Sequence, residues 1–173
     1  MVQLDQVISH IRDREYMSGV ERDKARIKST GEIFTKLFLA QESLDKIEQF
    51  DPTAFSDPTK TFCAPSGCGD GNLISEVLIR KLEAVAVDNK VTVEQFEQAL
   101  QNIYGVDREP DNIKLCQDRL LCGQEHLRHI VEKNIVWADA LRYHMRFDGS
   151  HPYDDEVKEQ EKTEHFNGLF EFE

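Results

Sequence analysis

Three short apolar segments, separated by amphipathic helical patterns, constrain the fold of this chain most strongly. They are residues 61–65, 102–107 and 134–139, and each one runs into glycine or aspartate at its end. Strands that alternate with helices predict a parallel sheet joined by right-handed crossovers. Ligands bind such sheets at the carboxyl ends of the strands, so the three ends are predicted to form one site.

The first of these ends is a glycine-rich corner between a strand and a helix. Residues 61–72 read Thr-Phe-Cys-Ala-Pro-Ser-Gly-Cys-Gly-Asp-Gly-Asn, and a helical pattern follows them. Glycines at such a corner let backbone N–H groups and a helix N-terminus approach a ligand without intervening Cβ atoms. The corner alone does not distinguish a nucleotide-type site from an ordinary turn, so a nucleotide-type site is inferred only together with the segments on either side of it.

The other two segments end in Asp107 and Asp139. A carboxylate at the tip of the strand beside a glycine corner suits both ribose hydroxyls of a nucleoside. The alternative for Asp107 is a helix N-cap, since Pro110 follows it. The corner and Asp107 are further apart than the roughly 20 residues of a dinucleotide fingerprint. A helix inserted between them, opened by a capping box of Thr92 with Gln95, explains the difference.

The remaining segments are predicted to be mainly helical. A charged amphipathic helix covers residues 2–28, either as a solvated face or as an arm that contacts a partner or nucleic acid. A second helix follows Thr35, its predicted N-cap, with a broad buried stripe between residues 34 and 50. A long helix covers residues 111–132, with Gly123 as a bend or break. Residues 166–172 are predicted to form a fourth strand.

Composition limits the classes of partner. The chain has 173 residues, enough for one domain, and a net charge of -12, which argues against nucleic-acid binding by this chain alone. No signal peptide or membrane-length apolar run is present, so a cytoplasmic protein without membrane contact is expected. The four cysteines fit reduced thiols. Their spacings miss the usual zinc pattern, so buried small side chains are favoured over a metal site.

Taken together, these segments resemble the cofactor-binding half of S-adenosylmethionine-dependent DNA methyltransferases. The similarity is greatest to the adenine-N6 class of restriction–modification systems and phages. It spans roughly residues 28–141 and consists of four motifs in order, at residues 30–35, 65–72, 103–107 and 134–141. The resemblance implies a truncated Rossmann-like methyltransferase fold: an α/β fold whose mainly parallel sheet has about four strands, with helices on both faces and an N-terminal helical segment.

The resemblance also implies a division of the chain and a set of cofactor contacts. Residues 1–30 form the helical arm, 31–147 the S-adenosylmethionine-binding domain, and 148–173 an acidic loop with the terminal strand. The first motif reaches the methionine carboxylate, the corner surrounds the methionine moiety, and the acid of the second strand holds the ribose. Asp139 accepts from the adenine amine, and Leu141 packs on the ring. The implied cofactor-binding residues are Thr30, Phe34, Thr35, Pro65, Cys68, Gly69, Gly71, Asn72, Asp107, Arg108, Asp139, Ala140 and Leu141.

The chain departs from this family in two ways. Ala64 replaces the acid of the first strand, residues 66–67 lengthen the loop by one residue, and Lys36 stands where proline is usual. The catalytic tetrapeptide Asp/Asn-Pro-Pro-Tyr/Phe, which holds the flipped base, is missing. The most similar string is His-Pro-Tyr at residues 151–153, which precedes the predicted fourth strand. No catalytic residue is therefore assigned.

Three functions remain open from the sequence. The first is a protein that binds S-adenosylmethionine but cannot methylate DNA alone. The second is an active small DNA adenine-N6 methyltransferase that uses His151 and Tyr153 near the base. The third is a non-enzymatic anti-restriction or regulatory protein with an acidic docking surface. Half a methyltransferase sheet leaves one edge open, which predicts a homodimer or a complementing chain. DNA contact would then require that partner or the N-terminal arm.

Overall fold

The computed structural model describes residues 1–13 and 35–153, and these form a mixed α/β fold. Within this part of the chain, six α-helices accompany a three-stranded parallel sheet and a two-stranded antiparallel ribbon. The strands are β1 (Val2–Gln3), β2 (Phe62–Ala64), β3 (Lys90–Val91), β4 (Ile103–Asp107) and β5 (Ile135–Trp137). The helices are α1 (Leu4–Arg12), α2 (Leu37–Phe50), α3 (Asn72–Val85), α4 (Val93–Gln101), α5 (Pro110–Leu121) and α6 (Arg128–Asn134).

The parallel sheet has the order β2-β4-β5, and it confirms the three strands predicted from the apolar segments. Gly105 of β4 lies opposite both Ala64 and Ile135, and Asp107 lies opposite Trp137. The carboxyl ends of all three strands therefore meet at one edge. The predicted fourth strand at residues 166–172 lies outside the described residues.

The described helices cover one face of this sheet, whereas helices on both faces were expected. Ile103 and Ile135 point into the main core with apolar residues of α3, α5 and α6. Both crossovers advance in the same direction, and their consistent hand places the connecting helices on the same side. On the other face, Val106 packs with Tyr143 and Phe147 from the segment after β5.

The chain begins with a strand, which corrects the prediction of a helix from residue 2. Val2 pairs with Val91 in the antiparallel ribbon, and Leu4 N donates to Asn89 O at 3.0 Å. β-branched residues favour such pairing. The following helix α1 buries one side in the main core, including Val7 and Ile11. The rest of the predicted helix, up to residue 28, lies beyond the part that the structure describes.

Helix α2 is much less buried than its apolar pattern predicts. Only Ala40 and Leu44 are buried, while Phe38 is 60% and Phe50 is 92% exposed. The helix packs chiefly on α3, so only the narrow stripe that faces α3 is covered, although its apolar residues extend further around it. The N-cap is Lys36 without a side-chain bond, so Thr35 does not cap this helix. No helix among the described residues is both long and apolar enough to span a membrane.

Most of the local predictions between α4 and β5, those of the capping box and of the helix break, are confirmed. Thr92 and Gln95 form the predicted capping box, with Gln95 N donating to Thr92 Oγ1 at 3.1 Å. The predicted long helix breaks after Leu121, because Cys122 and Gly123 adopt positive φ angles of 46° and 77°. Asn134 ends α6 instead of beginning the strand, and its side-chain amide donates to Leu100 O at 3.1 Å.

Candidate functional site

The glycine corner is a tight turn that packs directly on α5. Gly71 has a φ of 90° and is the N-cap of α3. A Cβ at this position would lie 2.9 Å from Cys116 Sγ, so the close approach of α5 requires glycine here. The corner's N–H groups largely bond within the protein: Cys68 N donates to Val106 O at 2.9 Å and Gly71 N to Cys68 O at 3.0 Å. These two donors hold the turn together and are not presented to a ligand.

Asp107 joins the corner to the start of α5. Its buried carboxylate accepts from Gly69 N at 2.9 Å through Oδ2, and from Glu109 N at 2.9 Å and Asn112 Nδ2 at 3.2 Å through Oδ1. The carboxylate therefore both supports the helix start and anchors the glycine turn. A carboxylate offers about four acceptor positions, so one position is left for a ribose hydroxyl instead of the two that were expected to be held.

A buried ion pair behind the corner is absent from the sequence-based predictions. Arg119 Nη2 lies 3.1 Å from Asp70 Oδ2, and each side chain is 2% exposed. Arg119 Nη1 also donates to Asn72 Oδ1, and Asn72 Nδ2 donates to Thr35 O at 3.1 Å. This network brings together Asn72 and Thr35, two predicted site residues. The sequence indicates this ion pair only through the position of Arg119, which directly precedes Leu120 on the buried side of α5.

The thiols beneath the corner are structural. Cys68 and Cys116 are both buried, and a hydrogen bond between them, together with burial and the charge of Asp107, raises the pKa of Cys68 well above its usual value. Cys68 therefore packs as a neutral thiol. Cys63 is exposed, contrary to the expectation of burial, because it alternates with Phe62 and Ala64 along β2. Within residues 1–13 and 35–153, no group of three or more histidine, cysteine or acidic residues could hold a metal ion.

The ends of β4 and β5 are connected, and Asp139 lies in a turn just beyond β5. Ala138 N donates to Asp107 O at 3.0 Å, which ties the two strand ends together. Leu141 N donates to Asp139 Oδ1 at 2.9 Å, and the Leu141 residue is 96% exposed. Asp139 N donates to the hydroxyl of Tyr153 at 2.6 Å. The segment 149–153 therefore folds back onto the predicted adenine-binding turn.

A pocket of about 810 Å³ runs along β5, from side chains of α5 and α6 to this turn and the 149–153 segment. Its lining includes Arg108, Trp137, Asp139 and Tyr153. The indole N–H of Trp137 donates to Arg108 O at 2.9 Å, and Trp137 is 60% exposed. The pocket thus combines an apolar aromatic surface with a carboxylate, a hydroxyl and a cationic side chain, which is a common makeup for a small-molecule site.

His151 and Tyr153 lie at the β5 side of the sheet. Two strand spacings, about 10 Å, separate β5 from β2 and the corner that follows it. The rings of His151 and Tyr153 contact each other edge to face, with centroids 6.0 Å apart. This position places the two side chains by Asp139 and away from the glycine corner.

The remaining predicted residues are divided among several environments. Pro65 is an exposed turn residue, and Ala140 packs against the apolar cluster that contains Val106 and Tyr143. Thr30 and Phe34 lie outside the described residues. A second pocket, of about 420 Å³, adjoins Asn72 and Lys36 between α1 and α3.

No protein-family model, curated protein or solved structure matches the chain.

Proposed function

We propose that the chain forms a Rossmann-like domain that binds S-adenosylmethionine and does not methylate DNA by itself. The observation that supports this proposal is the meeting of the glycine corner, Asp107 and Asp139 at the carboxyl edge of three parallel strands. Open parallel sheets bind nucleotides at this edge. The adenosine lies toward β4 and β5, and the methionine moiety lies toward the corner.

The residues at the adenosine end fit this cofactor. Trp137 exposes apolar surface in the pocket that Asp139 also lines, as a purine ring with an exocyclic amine requires; Leu141 is exposed two residues beyond Asp139 and does not line this pocket. Asp107 makes three hydrogen bonds to the protein, and the one remaining acceptor position of its carboxylate supports a contact to one ribose hydroxyl. The bound cofactor would supply an electrophilic methyl group, and these residues would bind and orient it.

The acceptor half of a methyltransferase site lacks support. Transfer to an amine requires an acceptor held in line with the methyl group. The sequence contains no Asp/Asn-Pro-Pro-Tyr/Phe tetrapeptide. His151 and Tyr153 lie on the β5 side, near the predicted adenine and away from the corner that would hold the methionine. They therefore do not serve as a substitute that binds the target base.

A partner chain is part of this proposal. Among the described residues, β2 pairs only with β4, and we expect a second copy or a complementing protein that carries the acceptor half to cover the open sheet edge on this side. DNA contact would come from that partner, since this chain carries a net charge of -12.

Isothermal titration with S-adenosylmethionine and S-adenosylhomocysteine tests the binding. Asp139→Asn is expected to weaken it about tenfold to a hundredfold, because a charged hydrogen bond is worth about 1.5–3 kcal/mol. Asp57→Asn is the matched control: Asp57 also accepts from a backbone N–H two residues on, Thr59 N at 2.8 Å, but it precedes β2 in the loop at the opposite end of the strand. Absence of binding at millimolar cofactor would refute the proposal.

A labelled-methyl assay on unmodified DNA tests the second part. We expect no incorporation with this chain alone at saturating cofactor. Incorporation by the purified chain would show instead that it is an active methyltransferase, and the acceptor residues would then have to be sought elsewhere in the sequence.

A further inference from the structure

We propose that the hydroxyl of Tyr153 reads the edge of the bound purine together with the carboxylate of Asp139, and makes the pocket selective for a 6-aminopurine over a 6-oxopurine. Tyr153 lies outside all four motifs of the resemblance. The position of the base rests on the proposed function, but the selectivity of the pocket can be measured with nucleosides alone.

The hydrogen bonds of Tyr153 and Asp139 leave one donor and one acceptor for a ligand in the same pocket. The Tyr153 hydroxyl accepts from Asp139 N at 2.6 Å, and a phenolic hydroxyl can donate as well as accept, so its proton serves another acceptor. The Asp139 carboxylate accepts from Leu141 N through Oδ1, which leaves Oδ2 to receive a further donor. Both side chains line the pocket of about 810 Å³.

This pair complements the edge of adenine. The exocyclic amine of adenine donates, and the adjacent ring nitrogen N1 accepts, so the amine faces the carboxylate and N1 faces the hydroxyl. A 6-oxopurine reverses both roles, because its oxygen accepts and its N1 carries a proton. A polar site that is built for one pattern leaves its groups without a ligand partner for the other pattern. Asp139 and Tyr153 are both half-buried, so water compensates only part of that loss.

Neighbouring side chains fix the orientation of Tyr153. The guanidinium of Arg142 lies over its ring, 5.1 Å from the centroid, which is a favourable cation–π contact. Arg146 Nη2 donates to His151 O at 3.1 Å, which holds the 149–153 segment in place. A hydroxyl that is positioned in this way can discriminate between ligands because the position of its oxygen is set before binding.

The fluorescence of Trp137 reports directly whether a ligand occupies the pocket. Trp137 is the one tryptophan in the chain, and it lines the same pocket with 60% of its surface exposed. The full chain is titrated with adenosine and with inosine while tryptophan fluorescence is recorded. We expect adenosine to quench it with an affinity at least about tenfold higher than that of inosine.

Tyr153→Phe is expected to bring the two affinities to within about threefold of each other. Tyr104→Phe is the matched control, because it removes the same hydroxyl from a tyrosine on β4 that does not line the pocket. That variant is expected to keep the wild-type preference. If Tyr153→Phe does not fold, Asp139→Asn replaces it, and the added amide donor is expected to shift the preference toward inosine.

The outcomes separate this inference from the proposed function. Selective adenosine binding without any S-adenosylmethionine binding supports the role of Tyr153 and rejects the cofactor. Equal quenching by both nucleosides, or an unchanged preference in Tyr153→Phe, overturns the inference even where S-adenosylmethionine binds. Absence of quenching by millimolar adenosine overturns it as well.

Discussion

Replacement of Gly71 by alanine is expected to destabilise the domain severely, for two separable reasons. The residue has a φ of 90°, where a side chain costs about 1–2 kcal/mol. The new Cβ would also lie 2.9 Å from the sulfur of Cys116 and 3.3 Å from its backbone. Because the backbone of α5 cannot easily retreat, overpacking adds about 1–3 kcal/mol. The expected loss is therefore about 2–5 kcal/mol, against a typical domain stability of about 5–15 kcal/mol.

Gly123→Ala isolates the backbone contribution. Gly123 has a similar φ of 77°, but an added Cβ would meet nothing within 4 Å. Both substitutions reduce the freedom of the unfolded chain equally, so that effect cancels between them. Gly123→Ala is expected to cost about 1–2 kcal/mol, and the difference between the two variants measures the steric conflict with α5.

Urea unfolding, followed by circular dichroism and by the fluorescence of Trp137, measures both values at an unchanged m-value. In a Cys116→Ala background, Gly71→Ala should recover part of its loss, because the sulfur is removed while the α5 backbone stays 3.3 Å from the new Cβ. Equal costs for Gly71→Ala and Gly123→Ala, to within about 0.5 kcal/mol, would refute the close packing of the corner on α5.

Two further predictions concern the surroundings of the corner. Arg119→Met should cost about 3–5 kcal/mol in the same unfolding assay, because it leaves the buried Asp70 carboxylate without its cation. Adding Asp70→Ala should restore part of this stability, and a loss below about 1 kcal/mol for the single variant would count against a buried pair. For the thiols, Ellman's reagent should modify Cys63 before Cys68 and Cys116, and Cys63→Ser should remove that fast reaction. The fast rate should rise with pH into the alkaline range, because partial desolvation of the sulfur raises the pKa of the Cys63 thiol although the residue as a whole is exposed; equal rates for all thiols would contradict the exposure of Cys63 and the burial of Cys68 and Cys116.

Local patterns predicted the elements that position the site. The three parallel strands, the glycine turn, the capping box of Thr92 and the break at Gly123 were all readable from short windows of sequence. Such features depend on the spacing of apolar residues and on turn chemistry, which act between near neighbours. The prediction that the three strand ends share one edge followed from the parallel sheet that alternating strands and helices imply, whereas the strand order came from the structure.

Pairings between distant residues required the tertiary structure. Asp70 and Arg119 are 49 positions apart, and Gly69 and Asp107 are 38 apart, so no local pattern links them. The exposure of Phe38 depends on which neighbour α2 packs against, not on its own periodicity.

The site shows the same division. The sequence by itself determined that a glycine turn, Asp107 and Asp139 end three strands and share one edge. Only the tertiary structure decided that most acceptor positions of Asp107 bind donors of the protein itself. It also decided that the hydroxyl of Tyr153 accepts a hydrogen bond from Asp139 N. The physical reason is that a side chain's remaining hydrogen-bonding capacity depends on every element packed around it, whereas its place at a strand end depends only on the strand that precedes it.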